Sequence, residues 1–137
     1  MKFTVLTIFP EMFQPFWEHG IIRRAILHEN ITAQTVNIRD FASGKHRVTD
    51  DTPYGGGSGM VMKPEPLAGA IREVKKTAPD ASTVLLSPQG RVFNQKTARQ
   101  LATLDGLILV CGRYEGIDER IRSGFISGWG TASSSTR

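Results

Sequence analysis

Two short segments that are apolar along almost their whole length most constrain how this chain folds. They are residues 83–86 and residues 106–110. A strand with apolar side chains on both faces is typical of the interior of a parallel sheet that is covered by helices. Segments with helical spacing of apolar residues alternate with the predicted strands, as βαβ units require. The sequence therefore predicts an α/β fold, with a mostly parallel sheet and helices on both faces.

The remaining elements are predicted from periodicity and from helix-capping and helix-breaking residues. The region from Asp40 to Met60 has no periodicity, and its composition predicts a long loop. The other predicted elements are strands at residues 2–9 and 31–38, and helices at residues 10–28 with a break near Gly20, from Pro64, after the N-cap Asn94, and over residues 117–121.

Length and composition limit the classes of protein to which the chain can belong. A length of 137 residues predicts one domain, and the net charge of +4 suits an anionic partner such as nucleic acid, although many basic proteins bind none. The single cysteine, Cys111, cannot form an internal disulfide, and the three histidines lack metal-ligand spacing, so no metal site is predicted. No segment approaches the roughly 20 apolar residues of a membrane span. A cytoplasmic protein without a membrane partner is expected.

Two glycine-containing loops follow the two apolar strands. They cover residues 87–90 and residues 111–116. Ligands of open parallel sheets bind at the carboxyl ends of strands, where glycine lets the backbone approach them closely. Taken alone, each loop is better explained as a tight strand-to-helix turn; taken together, at successive strand ends, the two loops leave a cofactor cleft and two plain turns both open. Glu115, in the second loop, is a candidate acid–base group.

The run from Tyr54 to Gly59 is the most glycine-rich part of the chain. It is not a phosphate-binding P-loop, because no Gly-Lys-Ser/Thr follows it, and it does not match the dinucleotide-binding fingerprint. Its composition fits a flexible linker and a binding loop equally well. Basic residues near these loops in sequence, among them Arg23, are candidates for phosphate contacts, although a solvated basic surface is the more common explanation of such residues.

Four motifs follow one another along residues 1–121. They are Phe9-Pro10-Glu11-Met12-Phe13, Asp50-Asp51-x-Pro53-Tyr54-Gly55-Gly56-Gly57-x-Gly59-Met60-Val61-Met62, Leu86-Ser87-Pro88-Gln89-Gly90, and Val110-Cys111-Gly112-Arg113-Tyr114-Glu115-Gly116-Ile117-Asp118-Glu119-Arg120. In content, order and spacing they resemble the bacterial tRNA (guanine-N1)-methyltransferase family. One such motif is suggestive, whereas four in register are highly specific.

The resemblance implies a SPOUT-class fold with a deep trefoil knot, a homodimer, S-adenosylmethionine as methyl donor, and tRNA methylated at N1 of the guanine at position 37. It leaves the use of a magnesium ion open. It implies a role for Glu115 close to the reacting guanine. The donor pocket implied by the family consists of Leu85, Leu86, Ser87, Pro88, Gly90, Gly112, Tyr114 and Gly116. The implied substrate contacts are Asp50, Tyr54, Gly55, Gly57, Gly59 and Arg23.

The chain departs from the family after Arg120. Members of the family continue into an Ile-Gly-Asp-Tyr-type loop, then Gly-Gly-Glu and a helical domain that grips tRNA, and their aspartate base and arginine lie beyond this chain's length. We therefore expect a donor-binding domain at residues 1–121, with its knot incomplete, and an out-of-frame or foreign tail at residues 122–137. The predicted function is a tRNA methyltransferase that is weak or inactive alone; the alternative is a non-catalytic RNA-binding or dimerisation fragment.

Overall fold

The structure, a computed structural model, describes residues 1–42, 50–51, 61–62, 64–111, 116–117 and 131–134. The strands are β1 (Lys2–Thr7), β2 (Thr32–Asn37), β3 (Asp50–Asp51), β4 (Val61–Met62), β5 (Ser82–Phe93), β6 (Gly106–Cys111), β7 (Gly116–Ile117) and β8 (Thr131–Ser134). The helices are α1 (Gln14–Glu18), α2 (Gly20–Leu27), α3 (Pro64–Thr77) and α4 (Gln95–Leu101), with 3-10 helices at Pro10–Phe13 and Ile38–Phe41.

The main sheet has five strands in the order β2-β1-β6-β5-β8, and every neighbouring pair is parallel. In the strand order of this sheet, β2 lies on the same side of β1 as β6 lies of β5. The two connections, from β1 to β2 and from β5 to β6, therefore cross the sheet in the same direction. Because crossovers between parallel strands are right-handed, the helices of both connections, α1, α2 and α4, lie on one face. Helix α3 covers the opposite face. The predicted parallel α/β sheet with helices on both faces is confirmed.

Helix α3 buries its apolar side against the larger of the two cores. Leu67 and Ile71 are fully buried there together with Leu6 of β1 and Ile108 of β6. Burying each such side chain stabilises the fold by about 1.5–3 kcal/mol. Glu65 lies in the first turn of α3 and two lysines lie in its last turn, which complements the helix dipole.

A smaller core lies on the other face of the sheet. Leu101 at the end of α4 packs there with Val84 of β5 and Leu107 of β6. Helix α1 is anchored on the same face, where the Trp17 indole Nε1 donates a 2.9 Å hydrogen bond to the Thr35 hydroxyl of β2. The two crossovers of this face are therefore each tied to the sheet by a side chain.

Local signals explain where the helices begin and end. Gly20 has a φ of +73°, a left-handed conformation that favours glycine, and it separates α1 from α2 at the predicted break. The Asn94 side chain accepts a 2.9 Å hydrogen bond from the backbone N–H of Thr97, so the predicted N-cap of α4 is confirmed. Within the described part of the chain, no helix has the length and apolar character needed to cross a membrane.

Several predicted elements differ from the observed ones, and two of them follow the apolar parts of β5 and β6. Residues 87–90, expected to be a turn, belong to the long strand β5. Gly116–Ile117 form β7, where a helix was expected from residue 117; residues 118–121 lie outside the described part. At β7 the pairing with β4 overrides the local helix signal by supplying backbone hydrogen bonds, whereas in β5 the pairing with β8 on either side of residues 87–90 keeps this stretch within the strand. The knot expected from the family also depends on residues outside the described part.

The Asn94 cap provides a direct test of how α4 is held. Replacing Asn94 by alanine removes the acceptor for the Thr97 N–H, and we expect this to lower the free energy of unfolding by about 1 kcal/mol. Gln95→Ala, one position further on and also exposed, is the matched control and should change it by less than about 0.5 kcal/mol. Urea unfolding followed by circular dichroism measures both, and equal losses would contradict the capping role.

Candidate functional site

The register of the two inner strands sets the location of the site. In the pairing of β5 with β6, Leu85 lies opposite Val110 and Leu86 lies opposite Cys111. Both strands run in the same direction, so Leu86 and Cys111, the residues before the two segments predicted as loops, lie side by side. This alignment brings together the starting points of the two glycine-containing loops, at the sheet edge where parallel α/β folds bind their ligands.

Leu85 and Leu86 face opposite sides of the sheet and differ in what they can offer a ligand. The Leu85 side chain belongs to the core under α3, so only its backbone is available for binding. The Leu86 side chain is 40% exposed, an unusual amount for a leucine on an inner strand. It provides an apolar surface at the carboxyl end of β5.

Strand β5 is irregular directly after Leu86. Leu86 and Arg91 both pair with Ala132 of β8, so residues 87–90 have no partners of their own in that ladder. Pro88 lacks a backbone N–H and Gly90 lacks a side chain, and both weaken a regular ladder. Irregularities of this kind are common beside binding sites because they redirect the backbone. The segment predicted as a turn is thus an irregular stretch within a strand.

Cys111 ends β6 beside this irregular stretch. Its side chain is partly buried, and desolvation raises the pKa of the thiol to about 11. Burial disfavours the charged thiolate, which is the nucleophilic form. At neutral pH Cys111 is therefore a small, nearly apolar side chain at the site and a poor nucleophile.

A second, three-stranded sheet joins segments that are far apart in sequence. Asp50 and Asp51 of β3 pair antiparallel with Met62 and Val61 of β4, so residues 52–60 connect two paired strands. The same two residues of β4 pair in parallel with Ile117 and Gly116 of β7. The ends of the glycine-rich segment are therefore attached to the chain that follows β6, which brings the two predicted binding segments into one region.

Sequence reasoning missed this small sheet. The available signal was a glycine-rich run bounded by Asp50–Asp51 on one side and Val61–Met62 on the other, an arrangement typical of a hairpin. Strands of two residues have no measurable periodicity, and that is why the region was predicted as a loop. Asp51, Val61 and Met62 join Asp50 and Gly116 as backbone positions at the candidate site.

The structure brings together only part of the predicted site. Arg23 is exposed on α2. Of Ser87, Pro88, Gly90, Gly116 and Asp50 only the backbone is described. Among the side chains that are described, no group of three or more His, Cys, Asp or Glu lies close enough to hold a metal ion. The predicted site residues outside the described part are Tyr54, Gly55, Gly57, Gly59, Gly112, Tyr114 and Glu115.

A parallel α/β sheet covered by helices on both faces, with two inner strands that end side by side, defines the class of open α/β proteins, which commonly bind ligands at the carboxyl ends of their strands. The family follows from comparison with known proteins. The family model described as tRNA (Guanine-1)-methyltransferase TrmD matches residues 1–129. The chain therefore belongs to the tRNA (guanine-1)-methyltransferase family.

Individual relatives agree with this assignment. A tRNA (guanine-N(1)-)-methyltransferase of Desulfatibacillum aliphaticivorans is 57% identical over 126 residues, which are 92% of this chain and 48% of the relative. One from Geobacter sulfurreducens is 53% identical over 126 residues, covering 92% and 51%. The chain spans about half the length of the curated relatives it matches.

The solved structures contain the same fold. The crystal structure of a tRNA (m1G37) methyltransferase from Aquifex aeolicus superposes with a TM-score of 0.82 at 36% sequence identity. The superposition covers 90% of this chain and 56% of that one.

The raised pKa of Cys111 makes its reactivity a probe of the site. Cys111 is the only cysteine of the chain, so iodoacetamide reports on one position. Because the thiolate reacts and the pKa is about 11, we expect the alkylation rate of the folded protein to rise about tenfold per pH unit from pH 7 to 10 without levelling off. A plateau near pH 8.5, the range of a free cysteine, would contradict the burial. Mass spectrometry at each pH measures the rate.

Proposed function

We propose that this chain binds S-adenosylmethionine at the joined ends of β5 and β6 and takes part in methylating tRNA at N1 of the guanine at position 37. The observation that carries the proposal is the small sheet, in which β4 pairs with both β3 and β7. It attaches the segment proposed to meet the guanine to the segment proposed to hold the methyl donor. Membership of the family supports the reaction class.

The described residues fit the methyl donor. Adenosine needs an apolar surface and nearby backbone groups that hydrogen-bond to the adenine edge and the ribose. Leu86 offers the apolar surface, and the irregular backbone of residues 87–90 offers N–H and C=O groups that the β8 ladder does not use. Cys111 and Gly116 are small residues that leave space between these groups. We propose that Leu85, Gly112 and Tyr114 complete the pocket.

The chemistry requires a proton acceptor and a fixed geometry. S-adenosylmethionine supplies the electrophilic methyl group on its sulfonium. The guanine must lose its N1 proton and lie in line with that methyl group, and alignment of this kind lowers the barrier by several kcal/mol. We propose that Glu115, in the chain between β6 and β7, lies against the reacting guanine and either accepts this proton or holds the base in place.

The tRNA side of the proposal rests on the glycine-rich segment. Asp50 begins β3, and residues 52–60 return to β4. Tyr54 would stack on a base, while Gly55, Gly57 and Gly59 would let the backbone approach the anticodon loop closely. Exposed Arg23 on α2 would contact a phosphate. We propose that the reaction takes place in the cytoplasm.

Exposed apolar side chains on one side of the molecule support a homodimer. Met12 of the first 3-10 helix and Phe16 of α1 are mostly exposed, as are Ile21 and Leu27 of α2, and Ile21 reaches 82% exposure. Large apolar side chains gathered on neighbouring elements are typical of protein–protein contact surfaces. We propose that a second copy of the chain covers this surface.

Donor binding tests the proposal directly. Calorimetric titration of the purified chain should give saturable binding of S-adenosylmethionine and none of ATP. Leu86→Lys should weaken the donor affinity by about tenfold, which corresponds to about 1.4 kcal/mol, because a charge replaces the apolar surface. Val92→Lys changes another exposed apolar residue of β5 and should have no effect. Failure of the folded chain to bind the donor would refute the proposal.

A variant of Glu115 separates methyl transfer from RNA binding. With radiolabelled donor and a tRNA transcript carrying guanine at position 37, we expect Glu115→Ala to abolish transfer and to change the RNA affinity by less than about twofold, because a carboxylate adds nothing to phosphate binding. Parallel reactions with EDTA and with magnesium decide whether the ion is needed. RNA binding by the unchanged chain without any transfer would favour the non-catalytic alternative.

A further inference from the structure

Strand β5 has different partners along its length. Residues 82–86 pair with β6, and the last pair of that ladder is Leu86 with Cys111. Residues 91–93 pair with β8, which is their only ladder partner within the described part of the chain. The first part of β5 is therefore held by an inner strand of the sheet, and the last part is held by an edge strand.

One residue of β8 adjoins both ends of the stretch between these two parts. Ala132 pairs with Leu86 and also with Arg91. Neighbouring strands lie about 4.8 Å apart, so Leu86 and Arg91 are each about one strand spacing from Ala132. Residues 87–90 thus leave the ladder with β8 and rejoin it at nearly the same place, with both ends of the stretch against one residue.

Pairing with β8 shortens the part of the chain that a ligand has to order. Without β8, residues 87–93 would connect the β6 ladder to the Asn94 cap of α4 with no ladder partner from the described strands. With β8 in place, only residues 87–90 lie outside a ladder. Fixing a residue's backbone costs conformational entropy, and a binding segment that is already held in place binds its ligand more tightly.

Strand β8 lies beyond the part of the chain that defines the family. The family model matches residues 1–129, and β8 begins at Thr131. The donor pocket implied by the family motifs contains no residue of this strand. The pairing that holds both ends of residues 87–90 is therefore supplied by a segment to which neither the motifs nor the family match assigns a role.

We propose that β8 positions residues 87–90 for the methyl donor, with Ala132 as the positioning residue that holds both ends of this stretch. The inference rests on the proposed function for the identity of the ligand. Strand β8 acts through β5 and needs no contact of its own with the donor. Loss of the pairing weakens binding because the donor must then order residues 91–93 as well as residues 87–90.

Proline substitutions in β8 test this role. Along an edge strand, successive backbone N–H groups point alternately towards the neighbouring strand and away from it. The double variant Ala132→Pro/Ser133→Pro therefore removes one ladder donor, whichever of the two residues faces β5. We expect the affinity for S-adenosylmethionine, measured by calorimetry, to fall by roughly tenfold because binding must now order more of the chain.

A matched control changes the same two positions and keeps the pairing. Ala132→Val/Ser133→Val retains both N–H groups and introduces β-branched side chains, which favour strands, so its donor affinity should change by less than about twofold. Hydrogen–deuterium exchange identifies the cause. The amides of residues 91–93 should be protected in the unchanged chain without donor, lose protection in the proline variant, and regain it at saturating donor. Those of α3 should exchange equally in all three proteins.

Three outcomes would overturn the inference. They are an unchanged donor affinity in the proline variant, equal losses in the proline and valine variants, and exchange at residues 91–93 of the unchanged chain as fast as in an unfolded peptide. The third needs no variant, so it decides the question even if the proline variant fails to fold. Normal donor binding with an unaffected proline variant refutes only the role of β8. No donor binding by the unchanged chain, with residues 91–93 protected, refutes the proposed function and leaves the pairing intact.

Discussion

The parallel pairing of β5 with β6 is the constraint on which the rest of the site depends. It places Leu86 opposite Cys111, so that the segments after these two residues, which are far apart in sequence, begin at adjacent points. A shift of one residue in this register would turn Leu85 out of the core and Leu86 into it. The fully buried Ile108 and Val110 of β6 and the side chains of α3 hold the register. Packing inside the core thus determines the geometry of the candidate site.

The small sheet is the second feature that brings distant segments of the sequence together. Its strands are too short to be stable alone, since even an isolated two-stranded hairpin is marginal in water. It depends on β7, which follows β6 closely in sequence and pairs with β4. The glycine-rich segment is in turn attached through β4. The segment proposed to contact RNA therefore depends on β7, β7 follows β6 in the chain, and β6 is held by the core.

The sequence predicts the main sheet well because its strands carry strong physical signals. Two apolar runs indicated buried parallel strands, Asn94 indicated a helix start, and Gly20 indicated a break. It could not predict the small sheet, since two-residue strands have no periodicity. The resumption of β5 at residues 91–93 after its irregular stretch, and the strand at Thr131–Ser134, depend on pairing between remote segments, which local composition does not encode. Only the motif resemblance indicated the family.

Hydrogen–deuterium exchange with and without S-adenosylmethionine tests most directly whether the donor binds where β5, β6 and the small sheet meet. The amides of residues 84–93 and 110–117 should exchange more slowly with the donor present, because hydrogen bonds to the ligand close that edge. Those of β4 (Val61–Met62) should follow through their pairing with β7, while α3 should not change. Protection confined to α3, or absent from the ends of β5 and β6, would contradict the account.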